Sequence, residues 1–450
     1  MLKVAKRFLA VMLVFVLSLT PVQILSAQAY VPEYESMLII EDSVSSFDML
    51  VAEHGMEFVQ NYTRTLNMLN DFIESLPMNR SGELMFPSYF GGAYIDCSGN
   101  AVLLMVSTPS TNALGSRYVA YRPKSAHVTQ MQGSEGVTVR EVEFAYTDLW
   151  ATIHFLNDLS QYVPELFASV TAFGWYLDVI GNRVVVELYD FTEDTTNLFR
   201  EVILDAPLLA FAQSEGLVEL NSMIQVDYIR ESYYSNYEYN SIVPFNTFVA
   251  DVGDTIEVWR GGVRVASGSI GYRANLGGAR GFITSAHIGL PLINGDVIYL
   301  RNRSRRIGRV ANANHVRLTG VDAAFITLDA GIEIRNSPRN IALSDRPIIH
   351  VFTGQEIASV GAITGFRFGR VSTPSWSGLI SIMGGQLVYS VSNAVILNLA
   401  GGPGDSGGIV FCFLTGDVMG IVTGGNADAG LAISSRATEI NRVLGSWLRG

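Results

Sequence analysis

Cysteine and charged residues are scarce in this chain of 450 residues. It has two cysteines, Cys97 and Cys412, and its side chains are 16% charged and 48% hydrophobic. A fold held by several disulfides is excluded, because at most one bridge can form. A disordered chain is excluded as well, because so apolar a composition buries a large core. The length is sufficient for two or three domains.

Long apolar runs are absent except at the N-terminus. Three basic residues there precede an apolar run from Phe8 to about Leu19, and Ala27-Gln28-Ala29 has the small-x-small form of a cleavage site. This pattern is typical of a secretory signal peptide over residues 1–29. A membrane anchor is the alternative, but the run is short for a bilayer span. We expect a secreted, extracellular protein with no membrane attachment after signal cleavage.

Lysine is missing from the second half, and charge divides the chain in two. Residues 31–240 hold 9 basic and 29 acidic side chains, a net charge of −20, whereas residues 241–450 hold 18 arginines and 13 acids, a net charge of +5. This division indicates two modules that attract each other. The densest basic run, Arg301–Arg309, lacks interleaved aromatics. A solvated hairpin is favoured there, and no nucleic-acid partner is expected.

The acidic half contains a repeat at an offset of 82 residues. GGAYIDCSGNAVLLMV from Gly91 and GWYLDVIGNRVVVEL from Gly174 share a Gly-Asn turn between strand-like runs. Each follows a stretch in which apolar residues have helical spacing. Residues 30–240 are therefore predicted to form an α/β region of two similar lobes, about 30–115 and 140–228, followed by a polar, Tyr-rich linker.

Helical patterns nearly disappear after residue 240. Short β-branched runs alternate with Gly, Asn and Ser, as in GFITSAHI, AAFITL and VMGIVTGG. Many short strands with regular turn signals predict an all-β barrel or sandwich over residues 241–450. Only the tail from Ser435 has helical spacing, and it places Ile440, Leu444 and Trp447 on one face.

A serine in a glycine-rich loop is the candidate nucleophile. GGPGDSGGIV surrounds Ser406 with glycines, which let the backbone approach a ligand closely. A nucleophilic serine needs a base and a group that orients the base. No histidine follows Ser406, which excludes the nucleophile elbow of α/β hydrolases. His287 after a strand-like run and Asp322 at the head of another are the candidates, because a buried acid needs a partner. Asp329 remains an alternative to Asp322.

The order His287, Asp322, Ser406, with TSAH, VDAAFI and GDSGG, resembles the chymotrypsin-fold serine endopeptidases, and more narrowly the secreted bacterial streptogrisin and α-lytic protease group. GAITGFRFGRV and GIVTGGN resemble further stretches of that group, and GWYLDVIGNRVVVEL resembles the C-terminal lobe of its propeptide. The resemblance implies a catalytic domain of two six-stranded antiparallel β-barrels over residues 241–450. It also implies that residues 30–240 are an α/β propeptide that aids folding and inhibits in cis.

The resemblance also assigns roles to residues. Ser406 would attack a peptide carbonyl of a polypeptide substrate, His287 would act as general base, and Asp322 would fix the histidine tautomer. Backbone N–H groups of Gly404 and Ser406 would form the oxyanion hole. The primary substrate pocket would be formed by Ala400, Val422, Thr423, Gly424 and Gly425. An uncharged, apolar residue is then expected before the cleaved bond. No cofactor is implied, and no metal-ligand spacing is found.

Two departures from that group bear on activity. Ile288 stands where the group has a cysteine after the histidine, and both halves of each usual bridge are missing together, so packing must compensate. Ala358-Ser359-Val360 stands where an arginine usually pairs with the aspartate of GDSGG. The partner of Asp405 is left open among Arg367, Arg370 and a freed N-terminus. These departures motivate two alternatives: a non-catalytic surface or binding protein on a degenerate scaffold, or an enzyme that cuts only its own linker.

Overall fold

The computed structural model describes residues 45–79, 83–106, 131, 133–162, 167, 169–188, 192–203, 224–228, 234–235, 249–288, 290–301, 304–314, 320–338, 341–382, 387–426 and 429–448. The predicted signal peptide lies outside these residues, as does most of the predicted linker. Within the described ranges, no helix has the length and apolar character needed to cross a bilayer.

Helices occur mainly in the acidic half. They are α1 (Ser46–His54), α2 (Met56–Ser75), α3 (Tyr146–Tyr162), α4 (Glu193–Ile203) and α5 (Ala437–Leu444). The α1 helix begins after Ser45, whose hydroxyl accepts the Asp48 N–H at 3.2 Å and thereby caps the helix. In α2, residues such as Val59, Leu66 and Ile73 recur on one face and are buried. This face attaches the helix to the sheets.

Both predicted lobes contain a helix followed by a hairpin. In the first, α2 precedes the antiparallel pair β1 (Phe90–Ile95) and β2 (Ala101–Val106), and β3 (Val137–Val142) lies parallel to β2. In the second, α3 precedes the antiparallel pair β4 (Ala172–Asp178) and β5 (Arg183–Leu188), and β6 (Ile224–Tyr228) lies parallel to β5. Equivalent aspartates close the two turns: Asp96 accepts the Asn100 N–H and Asp178 accepts the Gly181 N–H, each at 2.9 Å.

The basic half is almost entirely strand. A short strand, β7 (Tyr234–Ser235), precedes it. Its first strands are β8 (Val249–Asp251), β9 (Thr255–Arg260), β10 (Val263–Ser269), β11 (Arg273–Leu276), β12 (Ala279–Thr284), β13 (His287–Ile288), β14 (Leu290–Pro291), β15 (Val297–Leu300), β16 (Arg306–Asn314), β17 (Ala323–Leu328) and β18 (Glu333–Arg335). The remaining strands are β19 (Glu356–Gly361), β20 (Gly365–Ile382), β21 (Leu387–Asn398), β22 (Ile409–Cys412), β23 (Val418–Asn426), β24 (Leu431–Arg436) and β25 (Ser446–Leu448).

These strands form two main sheets. The first runs in the order β10-β9-β15-β16-β17-β12-β11-β25. The second runs β19-β22-β23-β24-β21-β20, and because β19 also pairs with β20, these six strands close on themselves. The mostly β architecture agrees with the sequence, whereas the predicted pair of six-stranded barrels stays a prediction, since the first sheet has eight strands along its path.

The C-terminal tail corrects one expectation. The helix α5 ends at Leu444, and Gly445 takes a left-handed conformation with φ 65° while its N–H bonds the Asn441 carbonyl. The chain then pairs with the edge of β11 as β25, so Trp447 lies on a strand. The helical prediction was wrong beyond Leu444, because a glycine in this conformation ends a helix and an unpaired strand edge offers new backbone partners.

The acidic half joins the second sheet through β4. This strand pairs antiparallel with β20, with Gly174 opposite Gly378. A Cβ on Gly378 would lie 2.4 Å from the Trp376 ring and 2.9 Å from the Gly174 Cα. Trp376 is fully buried and its ring N–H donates to Glu187 of β5 at 3.4 Å. Two facing glycines therefore make room for a tryptophan that both halves cover.

A second contact joins α1 and α2 to β19. The Tyr62 hydroxyl accepts the Glu356 N–H at 2.9 Å, and the Glu356 carboxylate pairs with Arg370 and lies 3.4 Å from His54 Nε2. The Arg370 guanidinium lies over the Phe58 ring at 4.9 Å. Burial raises the pKa of Glu356, while Arg370 and His54 oppose the rise. At this contact the acid belongs to the basic half and the histidine belongs to the acidic half, so the local pairing does not follow the net charges.

Gly174→Val tests whether strand pairing carries the contact between the halves. The new Cβ would lie 2.8 Å from the Ser377 carbonyl, so β4 must move away from β20. We expect a loss of about 1–3 kcal/mol in the free energy of unfolding, measured by thermal and denaturant unfolding of the intact chain. Gly133→Val is the matched control, because a Cβ there meets nothing within 4 Å. Equal stability of the two variants would contradict the prediction.

Candidate functional site

A buried histidine–aspartate pair forms where two strands of the first sheet meet. β12 and β17 are antiparallel, with Thr284 opposite Ala324, so the residues after β12 lie beside those before β17. His287 Nδ1 is 2.5 Å from Asp322 Oδ2, and the backbone N–H of His287 donates to Asp322 Oδ1 at 3.1 Å. The two side chains are 2% and 0% exposed. This geometry fixes the ring and its tautomer and leaves Nε2 as the nitrogen for another partner.

The alternative acid, Asp329, has a different partner. It follows β17 at the opposite end from Asp322 and pairs with Arg306, whose Nε is 3.0 Å from its Oδ2. About a third of its side chain is exposed. The structure therefore brings Asp322, and not Asp329, to His287.

The loop of Ser406 is seated against the strand that leads to His287. The Ser269 N–H donates to the Ser406 carbonyl at 2.9 Å. A Cβ on Gly407 would lie 2.1 Å from Thr284 Oγ1, so only glycine fits beside the end of β12. Ser406 itself is 9% exposed. The three residues that the sequence singled out thus gather at one junction of the two sheets.

Backbone N–H groups hold the Asp405 carboxylate. Its Oδ1 accepts the Ile363 and Thr364 N–H groups at 2.9 and 3.0 Å, and its Oδ2 accepts the Gly402 N–H at 2.7 Å. The side chain is 2% exposed. Convergent backbone N–H groups make a concavity that suits a carboxylate.

Both arginines considered for Asp405 lie on β20. Arg370 pairs with Glu356, and Arg367 is opposite Ser359 in the β19–β20 register. A freed N-terminus does not exist in the intact chain. The donors that bind the Asp405 carboxylate are backbone N–H groups, two in the turn after β19 and one in the loop of Ser406.

The glycines around Ser406 have a conformational and a steric cause. Gly404 has φ 95°, and a Cβ there would lie 2.8 Å from Ile363 Cγ1. The Asp405 carbonyl accepts the Gly408 N–H at 2.7 Å, and the Gly402 carbonyl accepts the Asp405 N–H at 3.1 Å. The loop is thus a tight, internally bonded turn. The Gly404 N–H, one of the two predicted oxyanion donors, bonds no described residue.

Apolar packing surrounds the position after His287, where the resemblance implies a cysteine. A Cβ on Gly268 would lie 2.4 Å from Ile288 Cγ2, and Ile288 is fully buried. Ile288 therefore fills the space beside Gly268, as expected if packing compensates for an absent disulfide. Both cysteines are free: Cys97 is exposed and Cys412 is buried.

Several of the predicted pocket residues lie close together, and we call the surface that they form the cleft. A Cβ on Gly401 would be 3.9 Å from Val422 Cγ1 and 4.0 Å from the Gly424 carbonyl, and Ala400 is half-buried beside it. Gly424 faces Ile380, which would be 3.3 Å from a Cβ there. Ile380 could not be predicted from the sequence, because it belongs to a long strand without a motif.

Two further predicted pocket residues lie against β24. The Thr423 hydroxyl is 2.7 Å from the Ser435 hydroxyl and is buried, so this side chain is hydrogen-bonded inside the protein. A Cβ on Gly425 would lie 2.5 Å from the Leu431 carbonyl of β24. These two residues shape the wall through their backbone.

A piece of the predicted linker forms a strand at that wall. Tyr234 of β7 pairs antiparallel with Gly425, and β7 also pairs in parallel with Ser381 and Ile382 of β20. The sequence predicted only a polar linker here, because ESYYSNYEYN lacks the alternation of a strand. The strand forms where its backbone pairs with β20 and with β23.

Among the described residues, no group of three His, Cys, Asp or Glu side chains is placed to bind a metal ion.

Comparisons with known proteins give one family match and several structural likenesses. The family model described as "Pro-like C-terminal domain" matches residues 156–214, a range that includes β4, β5 and α4. No curated protein matches the chain.

The solved structures include three bacterial proteases. Nocardiopsis protease has 21% identity and a TM-score of 0.36, with 45% of this chain and 100% of that chain covered. Cellulomonas bogoriensis chymotrypsin has 20% identity and a TM-score of 0.35, with 45% and 99% covered. Thermobifida fusca protease A has 19% identity and a TM-score of 0.35, with 44% and 98% covered.

Asp405→Asn tests whether the carboxylate is needed in the turn. Both oxygens accept N–H groups, so either orientation of an amide sets its NH₂ against a donor. We expect a loss of about 1–3 kcal/mol in the free energy of unfolding, measured by denaturant unfolding. Asp329→Asn is the control, because a partly exposed ion pair is worth at most about 1 kcal/mol. Equal losses in both variants would contradict the assignment.

Proposed function

We propose that this chain is a secreted serine endopeptidase that hydrolyses peptide bonds through an acyl-enzyme and is made as a zymogen. The observation that carries the proposal is the buried contact of 2.5 Å between His287 Nδ1 and Asp322 Oδ2, beside the loop that bears Ser406. A buried carboxylate aimed at one imidazole nitrogen has a clear chemical use. It keeps the other nitrogen ready to take a proton from a hydroxyl.

In this mechanism Ser406 Oγ attacks the peptide carbonyl while His287 Nε2 takes the serine proton. Asp322 stabilises the imidazolium that forms, and His287 then gives the proton to the leaving amine. Water next attacks the acyl-enzyme, with His287 again as base. Each step needs the imidazole in one tautomer and orientation, which two contacts from Asp322 supply.

The oxyanion of the tetrahedral intermediate would bind the N–H groups of Gly404 and Ser406. Losing one donor of such a hole typically costs about 100- to 1000-fold in rate. Asp405 lies between these two residues in the chain, and its carboxylate accepts three N–H bonds that hold the loop. This arrangement supports activity without the arginine that the sequence lacks, because the carboxylate has its compensation.

The zymogen part of the proposal is supported by β7. A strand of this chain pairs with Gly425, and under the proposal an extended peptide substrate would pair with the same backbone. The pairing of β4 with β20 attaches the acidic half beside it. We assign residues 30–240 the role of a propeptide that aids folding and acts on its own catalytic domain, residues 241–450, in cis.

A polypeptide with an uncharged, apolar residue before the cleaved bond is the proposed substrate. Gly401, Val422 and Gly424 supply an apolar surface and backbone groups to the cleft. A buried charged side chain would need a partner of opposite sign, and none of the five predicted pocket residues provides one.

Two alternatives make different demands. A non-catalytic binding protein on a degenerate scaffold has no use for a buried His287–Asp322 contact, yet it would keep the fold. An enzyme that cuts only its own linker needs the same site and would release one bond per chain. Turnover on an added substrate separates the second alternative from the proposed endopeptidase.

Ser406→Ala tests the proposal through the chain's own processing. We expect the wild-type product to start between residues 236 and 249, after β7 and before β8. The variant should keep the acidic half, because it lacks the nucleophile. Intact mass and N-terminal sequencing of the secreted proteins measure both outcomes. Full-length chains from both would contradict self-processing, and equal cleavage of both would show that another protease cuts the linker.

A second pair of variants separates the base from general damage. Asp322→Asn should slow processing by about 10,000-fold, because the amide stabilises the wrong histidine tautomer. Asp329→Asn, at the other end of β17 and paired with Arg306, should process at the wild-type rate. Equal rates for both variants would remove Asp322 from the mechanism.

A panel of peptides that differ only in the residue before the cleaved bond tests the pocket. We expect kcat/KM for apolar residues to exceed that for Arg, Lys, Asp or Glu by at least about tenfold, because an unpaired charge is costly in an apolar site. Initial rates with the self-matured protein give the values. Preferential cleavage after Arg would overturn the pocket assignment and leave the triad assignment intact.

A further inference from the structure

We propose that Ser269 is a positioning residue for the oxyanion loop, a role that rests on the proposed function. Ser269 ends β10 in the first sheet and is fully buried. It lies outside every motif in the resemblance to serine proteases, and it touches none of the reacting atoms. Its hydrogen bonds reach the loop that bears Ser406.

All the polar groups of Ser269 have partners, and two of these bonds reach the loop itself. Its N–H donates to the Ser406 carbonyl at 2.9 Å, and its hydroxyl donates to the Gly404 carbonyl at 2.8 Å. The hydroxyl also accepts the Ala362 N–H at 2.9 Å. Its carbonyl accepts the Thr284 hydroxyl at 2.8 Å. One residue therefore joins the oxyanion loop, the turn after β19 and the strand that leads to His287.

The hydroxyl bond to Gly404 has a specific consequence. The Gly404 carbonyl belongs to the peptide plane that follows the first oxyanion donor, and Gly404 has φ 95°. Glycine permits this plane to turn with little steric cost, so an outside group must fix it. The Ser269 hydroxyl holds this peptide plane through its bond to the Gly404 carbonyl. The Ser269 N–H does the same for the plane that follows Ser406, the second donor.

The turn after β19 adds a second link to the same loop. Ala362, which donates to the Ser269 hydroxyl, precedes Ile363 and Thr364, which donate to Asp405. Ser269 and Asp405 are thus held by successive N–H groups of one turn. A hydroxyl suits this place because it donates to one carbonyl and accepts one N–H at the same time. Alanine can do neither.

Ser269→Ala should lower kcat far more than it changes KM. We expect kcat for peptide amides to fall about 10- to 100-fold, less than the loss of a donor itself, with KM changed by less than about threefold. The affinity for a peptide boronate, whose tetrahedral adduct places an oxygen in the oxyanion hole, should fall by the same factor as kcat. Measurements use protein matured from the full chain, and the rate of self-processing serves as a further readout.

Two more variants distinguish positioning from stability. Ser375→Ala removes another fully buried hydroxyl, which bonds Asn393 at 3.1 Å. This variant should lower the melting temperature about as much as Ser269→Ala does, and it should leave kcat unchanged. Ser269→Cys keeps the shape with a weaker donor and should give an intermediate kcat, which keeps the test open if Ser269→Ala fails to fold.

Each outcome has one meaning. A selective fall in kcat and boronate affinity in the Ser269 variants supports the assignment. Unchanged kcat in Ser269→Ala, or a fall that Ser375→Ala reproduces, overturns it while the proposed function stands. A wild-type chain that neither processes itself nor cleaves added peptides overturns the proposed function, and the role of Ser269 with it.

Discussion

The burial of Asp405 is the constraint on which the site depends. A carboxylate that is 2% exposed loses several kcal/mol of hydration unless donors replace the water. Three backbone N–H groups replace it here, two from the turn after β19 and one from the loop itself. This compensation ties the loop of Ser406 to the second sheet. Without it, the charge would pull the loop towards solvent and the two predicted oxyanion donors would separate.

Sequence reasoning reached the parts of the site that depend on side-chain chemistry. Asp322 at the head of an apolar strand could be predicted because a buried acid demands a partner, and His287 at the end of another strand was the partner at hand. The helix-and-hairpin repeat could be predicted from period and turn residues. These signals are local, so a single sequence carries them.

The sequence could not reveal features created by backbone groups in three dimensions. The donors to Asp405 are N–H groups of Ile363 and Thr364, which every non-proline residue possesses. The β25 strand arises because β11 offers an edge after Gly445, and β7 arises between two edges far along the chain. A backbone donor leaves no such signal in the sequence, whereas a charged side chain such as Arg367 does.

The contact between the two halves depends on more than net charge. The opposite net charges, −20 and +5, predict attraction, and the contacts at β19 and β20 add strand pairing, a buried tryptophan and a tyrosine hydroxyl bonded to backbone. Glu356, an acid of the basic half, lies 3.4 Å from His54 of the acidic half. Surface charge between solvated faces is screened over about 8–10 Å, so it steers approach more than it holds a complex. Shape and backbone pairing at Gly174 and Gly378 therefore set the register in which the acidic half lies beside the cleft.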